Sequence, residues 1–139
     1  MTSQEKKEWL NRYKSICRRI LNKGEELENY RSMATKITQA WSDMPKAQSN
    51  ENRIEVITEK IIEVESQINN ELDELQSVRT EIENAINQIP NETYQELLER
   101  RYIQGQRWER IAIEMMYDYR YVLKLHGKAL QTLHIEKGH

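Results

Sequence analysis

The sequence contains no phenylalanine, one cysteine, two prolines and four glycines among 139 residues. A lone Cys17 excludes an internal disulfide framework and a multi-cysteine zinc site, and it fits a reducing compartment. So few glycines and prolines leave little material for the tight turns of a β-sandwich, a β-barrel or a doubly wound sheet. No apolar run approaches the roughly 20 residues that span a bilayer, and the opening MTSQEKKEWLNRYK lacks the apolar core of a secretory signal. The sequence therefore predicts a soluble, cytoplasmic protein with no membrane partner. It also has no Gly-rich phosphate loop and no arguable Ser/His/Asp constellation. His126 and His134 are eight residues apart and make no close ligand pair, so neither a metal nor any other cofactor is expected. The carboxylates between Glu51 and Glu83 recur on the solvated sides of a helix, where an acid/base pair has no cleft to work in. No catalytic residue is assigned, and the chain is not expected to be an enzyme.

What the sequence does have is charge, 32% of residues, against 37% hydrophobic ones. This is the profile of long, solvated, amphipathic helices, and it predicts an all-α fold. The net charge of −2 conceals an uneven distribution. Residues 1–50 carry 10 basic and 6 acidic side chains, residues 51–97 carry 3 and 12, and residues 98–139 carry 8 and 5. The first two segments are matched in sign to lie against one another, and only the third suits an anionic partner.

Residues 4–41 lack proline and repeat their apolar positions every seven residues. Tyr13, Ile20, Leu27, Ala34 and Trp41 form one register, and Trp9, Ile16, Lys23, Tyr30 and Ile37 form the other. Cys17 widens this stripe and is expected to be buried and inert. The polar stretch SDMPKAQSNEN at 42–52, with Pro45, reads as a loop. The repeat then resumes as Ile54, Ile61, Ile68, Leu75, Ile82 and Ile89, interleaved with Ile57, Val64, Glu71, Val78 and Ala85. Leu72 is expected to take over the contact that Glu71 interrupts. Pro90 ends the helix. Each arm has about 37 residues, on the order of 55 Å, so a long antiparallel helical hairpin (coiled coil) over residues 1–89 is predicted. Two helices alone would leave Leu10, Leu21, Ile62, Leu72 and Ile86 partly wet. A second hairpin is expected to cover them, giving a homodimer through Ile54, Ile57, Ile61, Ile62, Val64, Ile68, Leu72, Leu75, Val78, Ile82 and Ile86. The competing expectation is a monomeric hairpin packed on the C-terminal module.

Residues 90–139 change to short helices. Asn91 is a cap for a helix from Glu92 to about Tyr102, ended by Gly105. A second helix runs from about Arg107 to Met115, and Asp118 is the N-cap of a third that ends near Leu133. The third helix places Val122, Leu125, Ala129, Leu130 and Leu133 inward and Tyr119, Arg120, Leu123, Lys124 and Lys128 outward. This is the layout of a C-terminal three-helix helix-turn-helix module. Trp108 and Tyr102 are read as core pins, and His126 as a packed residue, with a hydrogen bond inside the module or a DNA contact as its alternatives.

The stretch RYIQGQRWERIAIEMMYDYRYVLKLHGKAL resembles the last helical module of sigma-70-type factors, and more closely the phage-encoded regulators of the ArpU and RinA type and a related uncharacterised phage family. Leu98, Arg101, Tyr102, Ile103, Gly105, Trp108, Ile111 and Ala112, then Tyr117, Val122, His126, Ala129 and Leu130, stand at the positions that carry the resemblance. It covers about 40 residues, and more loosely most of the chain. Where the family usually opens its reading helix with Ser or Thr, this chain has Asp118, which still caps but brings a negative charge toward a phosphate. The resemblance implies a phage or prophage transcriptional regulator, of the sigma-70 region 4-like kind, acting in a bacterial host cell on double-stranded promoter DNA. Tyr119, Arg120, Leu123 and Lys124 are the expected base-reading residues. Arg100, Arg101, Arg107 and Lys128 are the expected phosphate contacts. The rival expectation is a protein-interaction factor that binds host RNA polymerase or another regulator without base-specific recognition, using the acidic second arm.

Overall fold

The structure is a computed structural model that describes residues 1–42 and 48–136, with the side chains of 1–40 and 51–136. Every regular element among the described residues is helical: α1 (Ser3–Leu10), α2 (Arg12–Ser42), α3 (Gln48–Asn87), α4 (Glu92–Leu98), a π-helical turn (Glu99–Ile103), α5 (Trp108–Met115) and α6 (Tyr119–Thr132). Among them no helix is long and apolar enough to cross a membrane. Contacts divide the chain into two compact units, Met1–Ile16 with Leu75–His139, and Cys17–Glu74. Both ends of the long helical region belong with the C-terminal helices.

In the unit Cys17–Glu74, side chains of α2 meet those of α3 in reversed order. Arg19 bonds Glu71 at 3.0 Å and Glu74 at 3.2 Å, Lys23 bonds Gln67 at 2.9 Å, and Arg31 bonds Glu65 at 3.2 Å. Leu27, Ile37, Ile57 and Val64 are buried along the seam, one layer per one or two heptads, as the repeat requires. The ion pairs are half exposed, so each contributes at most about 1 kcal/mol. Glu71 is not displaced from the seam by Leu72. It stays there with its side chain only 20% exposed, held by Arg19, while Leu72 is 45% exposed. Cys17 is half-buried instead of fully enclosed. The helix α3 begins four residues before Asn52, so the expected loop is shorter than its polar composition suggested. Residues 43–47 of that loop, and the side chain of Trp41, lie outside those described.

The other unit is built around α6, against which α1, α4 and α5 all pack. Leu10, Ile82, Ile86, Leu97, Leu98, Ile111, Val122, Leu130 and Leu133 are almost wholly buried in it. The helix expected to run unbroken through residues 4–41 is interrupted at Asn11, whose backbone N–H closes α1 onto Lys7 and Trp9. Arg12 Nε also donates to the Trp9 carbonyl at 3.0 Å. The break lets Leu10 enter the core, and Lys6 Nζ reaches the Leu130 carbonyl at 2.7 Å. That contact places a cation on an orphan carbonyl at the C-terminus of α6.

These burials correct which side chains were expected to stay wet. Ile57, Val64, Val78, Ile82 and Ile86 are enclosed within one chain, and Leu10, expected to be wet, is also enclosed. Ile54, Ile61, Ile68 and Leu75 are half-buried. Of the residues assigned to the dimer seam, only Ile62 and Leu72 are exposed. With Leu21, Met33 and Val56 they are scattered: at about 100° per residue, Leu21 and Met33 project about 120° apart around α2.

Candidate nucleic-acid interface

The sequence around α6 dictates where the helix starts. Asp118 has extended backbone angles, and its carboxylate accepts from the Arg120 N–H at 3.2 Å, satisfying one of the donors that a helix N-terminus leaves open. Before it, α5 ends with Met116 at φ 61°, left-handed backbone. The Tyr117 N–H bonds the Ala112 carbonyl at 3.0 Å and the Met116 N–H bonds the Ile113 carbonyl at 3.2 Å, a helix-closing arrangement normally given to glycine. The connection between α5 and α6 is thus three residues long.

Around α6, Val122, Leu125, His126 and Ala129 face the core. Arg120 and Lys124, four residues apart, lie on one line on the opposite side. Tyr119 (42% exposed) and Leu123 (39% exposed) are also open to solvent, both to one side of that line, with Tyr119 about 100° around the helix from Arg120. Among the described residues neither Arg120 nor Lys124 has a carboxylate partner.

The four phosphate candidates separate into three kinds. Lys128 and Arg107 are exposed, Arg107 at the N-cap position of α5. Arg100 is consumed internally: its guanidinium bonds Glu96 at 2.8 Å, Gln106 at 3.4 Å, and Glu114. The Glu114 carboxyl is held below its usual range by the hydrogen bond from Arg110 and by the charge of Arg100. Two carboxylates on one guanidinium leave no net positive charge there for DNA, so Arg100 is a strut that ties α4 to α5. Arg101 is intermediate, donating to the Gln106 carbonyl at 3.0 Å and lying 4.5 Å from the centre of the Trp108 ring.

Near Arg101 is a buried polar pair whose partnership sequence reasoning did not specify. Tyr102 Oη and His126 Nε2 share a 2.7 Å hydrogen bond, and the Trp108 ring stands 4.5 Å from the imidazole. Burial, then the charges of Lys7 and Arg101, push His126 down to about 4, while burial raises the Tyr102 phenol to about 12. The imidazole is therefore neutral at pH 7. Sequence reasoning also missed Lys7, because only the packing of α1 on α6 brings the N-terminal helix here. The signal that could have found it was the KK pair at 6–7 preceding Trp9 and Leu10, an amphipathic turn too short to weigh alone.

No family model, curated protein or solved structure matches the chain. The reading of the site therefore rests on its own geometry.

Proposed function

We propose that the protein is a phage-type transcriptional regulator that binds duplex promoter DNA by inserting α6 into the major groove. A single observation carries this: a capped helix after a three-residue turn, with Arg120 and Lys124 aligned, exposed and without carboxylate partners among the described residues. In this reading α5 and α6 form the helix-turn-helix. Arg120 makes paired bonds to a guanine edge, Leu123 meets a thymine methyl, and Arg107, Lys128 and Arg101 engage phosphates. The long helices form a coiled-coil hairpin. Two such chains pair through their arms, with Ile62 and Leu72 as the assigned seam residues that stay exposed on a single chain.

A second reading has one specific observation in its favour. Ile113 (78% exposed) and Met116 (89% exposed) are apolar side chains open to solvent near the edge-to-face rings of Tyr117 and Tyr121, whose centres are 5.1 Å apart. Such a patch suits a protein partner, host RNA polymerase included, and needs no base reading. A fluorescence titration against promoter-containing phage duplex and a scrambled duplex separates the two. Arg120→Ala and Lys124→Ala should each reduce the preference for the promoter duplex by about 5- to 100-fold. Unchanged selectivity in both variants would assign the reading to another surface.

A further inference from the structure

The face of α6 that carries Leu123 opens into a depression of about 360 Å³ whose lining includes Lys7, Asn11, Arg101, Trp108, Leu123 and His126. The geometry points to a phosphate seat here, in which the N-terminal helix α1 supplies Lys7, and its cap residue Asn11, alongside Arg101 and so becomes part of the nucleic-acid surface. The inference rests on the DNA-binding reading above and extends it to a helix more than 90 residues away in sequence.

Three features support the assignment. The depression has two cations and an amide donor, and no carboxylate among its lining residues. Lys7 has no ion-pair partner among the described residues, and Arg101 gives one N–H to the Gln106 carbonyl, leaving other guanidinium donors for an anion. Second, the position of Lys7 is fixed rather than adventitious: Lys6 is bonded to the Leu130 carbonyl at 2.7 Å, and the Asn11 N–H closes the helix onto the Lys7 carbonyl at 2.8 Å. Third, both cations act on the same imidazole, depressing the protonation of His126 from two different elements. Positive potential therefore converges at this spot, and an anion seated there relieves the repulsion between Lys7 and Arg101. Trp108 and Leu123 give the depression an apolar side that accepts a sugar face. A phosphate of the DNA backbone and a free phosphate share this chemistry, and the test distinguishes them.

The full-length chain is titrated with promoter and scrambled duplexes across a salt series. Lys7→Gln should lower the salt slope by about 0.9 and weaken both duplexes equally, about eightfold at ~0.1 M salt, as expected for one lost phosphate contact. Lys7→Arg should restore both. Lys14→Gln, on the exposed side of α2, should change neither. A wild-type slope in Lys7→Gln, or an equal loss in Lys14→Gln, overturns the seat even if Arg120→Ala still abolishes selectivity. If the wild-type chain binds no duplex at all, the DNA-binding reading fails, and inorganic phosphate decides the seat. A saturable shift of the Trp108 indole and Arg101 Nε resonances, lost in Lys7→Gln, supports a free-phosphate seat, and no shift overturns it.

Discussion

The two compact units are built from the same kind of helix but hold together in different ways. In Cys17–Glu74 the buried side chains form a linear seam, repeated every seven residues and fringed by half-exposed pairs such as Arg31 with Glu65. In Met1–Ile16 with Leu75–His139, α1, α4 and α5 converge on α6, and a buried tyrosine–histidine bond joins the π-helical turn to α6. A seam distributes its stability evenly and tolerates a polar member such as Glu71, because solvent and Arg19 are both within reach. A convergent core concentrates stability in a few wholly enclosed positions. It also fixes the orientation of α6, which is what a reading helix needs.

The largest effect that would sharpen this contrast is a cavity. Ile82→Ala, at a fully buried position, should cost about 2–5 kcal/mol in urea unfolding. Ile62→Ala, at a side chain 61% exposed on a single chain, should stay within about 0.5 kcal/mol in dilute, unpaired chains. A cost at Ile62 that grows with protein concentration would sharpen the comparison by showing that a second copy covers it, and a cost as large as that of Ile82→Ala in dilute chains would break it.

A smaller effect concerns the buried polar pair. Because the folded state depresses His126 to about 4 from the ordinary ~6.5, unfolded chains bind the extra proton first. Its contribution is intact above ~6.5 and is lost as pH falls toward 4, by up to roughly 3 kcal/mol. Unfolding midpoints at pH 7 and 4.5 should diverge more for the wild type than for His126→Gln. Equal pH dependence in the two proteins would mean that the imidazole is already protonated or solvated in the folded state.

The smallest effect is at the turn. Met116 holds a left-handed backbone conformation with its side chain 89% exposed, and Met116→Gly should raise stability by about 0.5–1 kcal/mol. A loss instead would show that the methionine side chain holds the turn in place.

How much of this was legible in the sequence follows the same division. Periodicity identifies Leu27, Ile57 and Val64 as seam residues, because a seven-residue repeat is a local pattern. It also separates the inward Val122, Leu125 and Ala129 from the outward Arg120 and Lys124. The repeat says which side of a helix is apolar, however, and not what covers it. Ile82 and Ile86 read as dimer contacts, yet they are enclosed by their own chain. The break at Asn11 was also illegible, since Asn is tolerated within a helix and only the docking of Leu10 and Lys6 on α6 makes it a corner. For the same reason Lys7 was not found, and Arg100 was read as a free cation when its partner Glu114 lies 14 residues further along the chain.

The central claim is that α6 reads bases, and selection of bound fragments from a random duplex pool tests it most directly. The wild-type chain should enrich a short common sequence containing guanine, and the Arg120→Ala, Lys124→Ala double variant should retain fragments without one. Enrichment of the same sequence by both proteins, or of none by the wild type, would contradict the account.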